Sequence, residues 1–312
     1  MNVTPTVILT GPTATGKTDL SIALARYFNA PVISADSRQC YKYLDIGTGK
    51  PNPEILTEIP HYHISTLNPD ESYNVSDFSD DFKHWSKTIR KQGKPVLAAG
   101  GSTLYIESLI RPLDELPPRN ETNLLELQNI ADREGLTSIQ KKLEKVDPEY
   151  AQRIDGPNPH RMFRALDVWM QTGRPFSSFH KNRSFSLPKN TLLICLVRER
   201  TELHQRINAR VDQMITDGLL EEVRGILDMG FVPNLQSLQT VGYREAIDCI
   251  RGRLTTDEML EKIKTNTRRY ARRQLTWFRR WKQTAWLDQT GQSQKKLTET
   301  VLKMAEQLAA ET

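Results

Sequence analysis

Residues 11–18 read Gly-Pro-Thr-Ala-Thr-Gly-Lys-Thr and fit G-x-x-x-x-G-K-[ST] without a mismatch. They lie between an apolar run, Thr6 to Thr10, and a helical pattern, Asp19 to Phe28. In such a loop Gly11 and Gly16 let the backbone around Pro12, Thr13, Ala14 and Thr15 turn its N–H groups inward on a diphosphate. Lys17 adds a cation and Thr18 offers a hydroxyl to Mg²⁺. The chemistry this predicts is polyphosphate binding, whether of ATP or of another diphosphate-bearing substrate.

The second apolar run ends Val32-Ile33-Ser34-Ala35-Asp36-Ser37. An aspartate at the carboxyl end of a parallel strand beside a P-loop lies at the crevice where α/β proteins bind ligands. Three roles fit it: a metal ligand, a general base on a group set against the diphosphate, or a turn cap. A third run, Pro95 to Ala99, opens into Gly100-Gly101-Ser102-Thr103. There Ser102 or Thr103 can hydrogen-bond a ligand, and Ser102 can equally N-cap a helix.

These residues need a frame. Short apolar runs at Thr6 to Thr10, Pro31 to Ala35, Tyr62 to Ile64, Pro95 to Ala99 and Leu192 to Val197 alternate with amphipathic stretches such as Ser76 to Lys91. The alternation predicts an α/β fold, a P-loop NTPase-like parallel sheet with helices on both faces. Between Pro112 and Pro188 the strand-like runs stop and helical periodicity takes over, as in Asn123 to Glu134 and His160 to Met170. The expected organisation is an α/β core over 1–112 and 189–312 with a helical insertion domain over 113–188. Long candidate helices run from Thr256 to about Trp281 and from Gln294 to Ala309.

The 312 residues carry 43 Lys/Arg against 38 Asp/Glu, yet the excess is local. Arg251 to Lys282 holds eleven basic residues and three acidic ones, while the rest of the chain is slightly acidic. That is the footprint of a polyanionic partner larger than a nucleotide. On the long helix Leu260, Ile263, Thr267, Tyr270, Gln274, Trp277 and Trp281 fall on one stripe, read as core. Arg268, Arg269, Arg272 and Arg273 lie beside it with no acidic residue from 268 to 282, which favours phosphate contact over a solvated face. Arg161 and Arg164 suit a phosphate or an ion pair with Asp167. Lys50 sits in a loop where phosphate contact is weakly signalled, and His61 and His63 read as structural. Three scattered cysteines suggest neither disulfides nor zinc. The expectations are a cytoplasmic monomer with no membrane association.

Several segments together resemble the bacterial tRNA dimethylallyltransferase (tRNA isopentenyltransferase) family. They are GPTATGKT from Gly11, SADSRQCYKYLDIGTGKP from Ser34, AGGSTLY from Ala99, HRMFRALDVWMQTGRP from His160, QRINARVDQM from Gln205, TVGYREA from Thr240 and RRQLTWFRRW from Arg272. The resemblance implies transfer of a dimethylallyl group from its pyrophosphate to the exocyclic amine of the adenosine just 3′ of the anticodon, with Mg²⁺ and without ATP. It implies Asp36 as the base, Lys17, Arg210 and the loop as the pyrophosphate site, and Ser102 as a further catalytic hydroxyl. Asp36, Ser37, Arg38, Gln39, Ser102, His160, Arg161, Met162, Phe163, Arg164, Gln239, Thr240, Val241, Gly242, Tyr243 and Arg244 match its tRNA-contacting segments. Ser102 stands where the family commonly has Thr, Asn158 where Asp is usual, and the zinc finger of eukaryotic relatives is absent. The alternatives are a P-loop small-molecule or nucleoside kinase, which has no use for the basic segment, and a nucleotide-switched RNA-binding protein.

Overall fold

The computed structural model describes residues 4–154, 156, 158–180 and 187–310. Among them six parallel strands form one sheet: β1 Thr6–Thr10, β2 Val32–Ser34, β3 His61–Tyr62, β4 Val96–Ala99, β5 Thr191–Val197 and β6 Ala285–Asp288. Their order is β3-β2-β4-β1-β5-β6. Continuous apolar runs suit β1 and β5 because a parallel sheet is covered on both faces.

Helices α1 Lys17–Phe28, α2 Pro53–Glu58, α3 Val75–Lys91 and α4 Thr103–Ile110 belong to the first half of the chain. Helices α5 Glu121–Glu134, α6 Leu136–Val146, α7 Pro148–Arg153 and α8 Pro159–Thr172 follow, then α9 Arg200–Thr216, α10 Leu219–Asp228, α11 Tyr243–Ile250, α12 Thr256–Phe278 and α13 Gln294–Ala310. The chain divides into two compact units, Met1–Arg111 with Phe185–Thr312, and Pro112–Ser184.

In the larger unit, Leu20 and Leu24 of α1 and Leu297 and Val301 of α13 cover one sheet face. Phe78 of α3, Ile106 of α4 and Phe278 of α12 cover the other. A third core joins α9, α10, α11 and the first half of α12, and Cys40, Tyr41 and Leu44 pack into it. The segment after β2 is therefore held by a helical layer. In the smaller unit Leu127, Ile139, Leu143, Leu166 and Val168 form a core of their own. Among the described residues no helix is long and apolar enough to cross a membrane.

The strand order decides the site. β4 lies between β2 and β1, so the three turns that leave their carboxyl ends, at Asp36, Gly100-Gly101 and the P-loop, are neighbours. Two differences from the sequence-based expectation are local. The third strand is His61–Tyr62 rather than Tyr62 to Ile64, because His63 adopts φ 64° and ends it. β6 was not expected: its residues alternate between half-buried and exposed, and it exists through pairing with β5 at the sheet edge.

Candidate active site

The P-loop closes on itself before any ligand is considered. Lys17 Nζ donates to Gly11 O at 2.9 Å and Pro12 O at 2.7 Å, and Thr15 Oγ1 donates to Pro12 O at 2.8 Å. Thr13 N donates to Gln274 Oε1 at 3.0 Å, and Arg206 Nε donates to Ala14 O at 3.0 Å. Pro12, Thr13 and Thr15 thus shape the loop. The amides of Lys17 and Thr18 open α1 and have no intrahelical acceptor, which leaves them aimed where an anion would sit. An ammonium has three donors. Two of Lys17's hold the loop and one remains.

Burial pushes the Lys17 ammonium down to about 8, and Arg210 adds to the effect while Asp36 opposes it. Lys17 is cationic below that pH and neutral above it. Affinity for a diphosphate is therefore expected to hold below pH 8 and to fall as pH rises through it, seen as a basic limb in kcat/KM for the diphosphate substrate. Once the anion is bound it raises the lysine again, so kcat is expected to hold to higher pH. A flat kcat/KM profile from pH 7 to 9.5 would contradict this.

Asp36 Oδ1 accepts from Arg38 N at 2.9 Å, the geometry of a turn cap. Among the described residues no group bonds Oδ2. Ser102 occupies the N-cap position of α4, yet its hydroxyl does not cap. It accepts from Ser37 N at 2.8 Å, so it pins the turn that presents Asp36. Gln39 donates through Nε2 to Gly49 O at 3.2 Å and accepts from Ser34 Oγ at 2.9 Å.

Arg210 on α9 reaches the same space and donates to Thr48 O at 3.4 Å. Gly49 lies against its guanidinium, where any side chain would collide, so the glycine makes room for the arginine. The loop 45–49 is held in turn by Glu222 of α10. Its Oε2 accepts from Asp45 N at 2.9 Å and Ile46 N at 2.7 Å, and its Oε1 accepts from Tyr243 Oη at 2.6 Å. Sequence reasoning missed Glu222 and Gln274. The signal for Glu222 is the turn-rich Asp45–Lys50 segment, whose inward amides form a nest for a carboxylate.

Two cavities meet here. The larger, about 600 Å³, is lined by Lys17, Thr18, Asp36, Gln39, Arg206 and Arg210, with Val32, Ile64 and Ala99 as an apolar part. The second, about 420 Å³, is lined by Ser37, Arg38, Gln239, Thr240, Val241, Gly242, Arg244 and Arg273. Thr13, Ala14, Asp36, Thr48, Arg210 and Tyr270 line both. Tyr270 is 37% exposed, which corrects its place in the buried stripe: it faces the cavities, and the stripe's core is carried by Ile263, Gln274 and Trp281.

Other expectations are corrected by packing. Tyr243 is wholly buried in the α9–α12 core, with its hydroxyl spent on Glu222, so it is not a surface that tRNA can touch. Met162 is buried within the smaller unit. Arg164 pairs with the buried Asp167 at 2.7 Å and donates to the carbonyls of Pro117 and Pro118, so the ion-pair alternative holds. His160 and Arg161 of that segment are exposed, and Phe163 packs against its unit's core. Arg268 is half-buried and donates to Asn208 Oδ1 at 2.7 Å and Thr265 Oγ1 at 2.9 Å, unlike exposed Arg269, Arg272 and Arg273. Lys50 donates to Tyr41 O, Asp45 Oδ1 and Ser65 Oγ, which uses all three of its protons.

For a divalent cation the fit is with hard oxygen ligands. Thr18 and Asp36 line the larger cavity, and no cluster of three or more His, Cys, Asp or Glu stands ready among the described residues. Mg²⁺ is commonly held by one or two protein oxygens with substrate phosphates and water completing its shell. The residues fit that pattern.

A parallel sheet with a P-loop after its first strand, and an aspartate and a glycine turn on the adjoining strands, defines a P-loop NTPase-like α/β protein. The family model described as IPP transferase matches residues 39–281. The chain is 41% identical over 301 residues to a tRNA dimethylallyltransferase of Alkaliphilus metalliredigens, covering 96% of each. A tRNA isopentenylpyrophosphate transferase of Bacillus halodurans shares its structure with TM-score 0.73 and 35% identity, over 98% of this chain and 97% of that one. A eukaryotic dimethylallyltransferase acting on tRNA aligns with TM-score 0.76 and 27% identity, over 92% of this chain and 74% of that one. The chain belongs to the IPP transferase family. These matches do not favour the kinase alternative.

Proposed function

We propose that this enzyme transfers the dimethylallyl group of dimethylallyl pyrophosphate to the exocyclic N6 amine of the adenosine 3′-adjacent to the anticodon in tRNA, releasing pyrophosphate. The observation that carries the reading is that Asp36 lines both cavities, one bounded by diphosphate-binding groups and the other by arginines. The loop amides, Lys17 and Arg210 hold the pyrophosphate of the donor in the larger cavity. Its apolar part, at Val32, Ile64 and Ala99, takes the prenyl chain. The adenine is extruded from the anticodon arm into the second cavity, past Arg38, Arg244 and Arg273. The amine nitrogen bonds to C1 of the dimethylallyl group as the C1–O bond breaks and the electron pair leaves with pyrophosphate. Asp36 accepts the amine's hydrogen bond and then its proton. Lys17 and Arg210 stabilise charge growing on the leaving group. Thr18 would help to hold Mg²⁺, which would supply further neutralisation of that charge.

Unmodified tRNA incubated with labelled dimethylallyl pyrophosphate and Mg²⁺, ATP omitted, is expected to become labelled, and chelation of Mg²⁺ is expected to stop the reaction. A strict requirement for ATP would overturn the reading in favour of a kinase.

A further inference from the structure

Gln274 lies on α12 one residue after Arg273 and one turn after Tyr270, and only 2% of it is exposed. Two of its hydrogen bonds end on backbone atoms in two different walls of the larger cavity. Oε1 accepts from Thr13 N in the P-loop at 3.0 Å, and Nε2 donates to Gly101 O at 2.7 Å in the turn after β4. A side chain on Gly101 would put its Cβ 2.5 Å from Gln274 Nε2, so the glycine is what admits the amide. The next residue, Ser102, pins Ser37 beside Asp36. One side chain thereby ties the diphosphate loop, the turn that supports Asp36 and the helix carrying the exposed arginines.

α12 is a continuous helix of 23 residues. One turn beyond Gln274, Trp277 Nε1 donates to Glu107 Oε2 of α4 at 2.8 Å, which locks α12 to the helix that begins after Ser102. A buried amide that loses either partner leaves a polar group unsatisfied, so the loop and the turn follow α12 rather than part from it.

We propose that Gln274 is a positioning residue that couples engagement of tRNA on α12 to the grip of the P-loop on pyrophosphate. The inference rests on the reading of the larger cavity as the pyrophosphate site. Its mechanical content is specific: a load on α12 reaches Thr13 N and Gly101 O through one amide on the wall of the larger cavity, and removing that amide uncouples the two ligands while Lys17, Arg210 and the loop amides keep their places around the pyrophosphate. Because binding linkage is reciprocal, the coupling is measurable as a ratio of pyrophosphate affinities with and without tRNA.

The test is calorimetric titration of the full-length protein with inorganic pyrophosphate and Mg²⁺, alone and saturated with unmodified tRNA. The wild-type protein is expected to bind pyrophosphate several-fold tighter when tRNA is present. Gln274→Met keeps the length of the side chain but neither hydrogen bond. It is expected to weaken pyrophosphate binding roughly tenfold in the tRNA complex, by loss of buried hydrogen bonds, and to bring the ratio to one, with tRNA affinity measured in the absence of pyrophosphate unchanged. Gln274→Glu keeps the acceptor for Thr13 N and sets an acceptor against Gly101 O, so its ratio is expected to fall between the two. It carries the test if the methionine variant fails to fold by circular dichroism. A merely structural role would weaken pyrophosphate equally in both titrations and leave the ratio intact. That result, or a wild-type ratio of one, overturns the inference. Failure of wild-type protein to label tRNA while still binding pyrophosphate would instead overturn the proposed function.

Discussion

Asp36→Asn is expected to lower kcat by about 10²-fold or more while tRNA affinity stays within about twofold, because it removes a proton acceptor and little else. The turn survives the change. Asparagine retains the oxygen that accepts from Arg38 N, and the Ser102 hydroxyl still accepts from Ser37 N. Single-turnover kinetics with labelled donor separates chemistry from binding. A drop confined to the chemical step supports Asp36 as the base. If the main loss were instead in donor affinity or in the Mg²⁺ concentration needed, the free Oδ2 would be a metal ligand and the base would have to be sought elsewhere.

Replacing Arg269, Arg272 and Arg273 together by Gln is expected to weaken tRNA binding for every substrate tRNA alike. It should also flatten the plot of log K against log[salt] by roughly two to three units, close to one for each phosphate that is no longer neutralised. Packing removes Arg268 from this set. Its guanidinium is engaged by Asn208 and Thr265, so changing it would mix stability with charge. Glutamine keeps part of the aliphatic stem of each exposed arginine and so isolates the charge. Pyrophosphate affinity in the absence of tRNA should stay constant, since the groups that hold it are in the P-loop and at Arg210. An unchanged slope with an intact circular dichroism spectrum would return the three arginines to a solvated face.

Much of the site was legible in residue order. The P-loop pattern, the aspartate at the end of a strand and the double glycine after another are covalent spacings, and each needs only its own neighbours to be recognised. The alternation of apolar runs with amphipathic stretches determined a parallel sheet, and the uneven charge singles out Arg251 to Lys282 as the expected meeting place of a polyanion, which the salt titration tests. Tertiary structure decided what those patterns leave open, namely which polar group meets which across the chain. Thr13 N and Gln274 are 261 positions apart, and no periodicity relates them. Glu222 reads as an ordinary first-turn acid until Asp45, Ile46 and Tyr243 are brought to it. The strand β6 has no strong pattern of its own and forms because β5 offers it an edge. Tyr243, Met162, Arg164 and Arg268 lie in segments that look like contact surface, yet burial or a nearby acceptor claims each of them. Local sequence carries spacing and periodicity. Burial and hydrogen-bond partnership are collective outcomes of packing, and a buried polar group is satisfied by whatever the fold brings within about 3 Å of it.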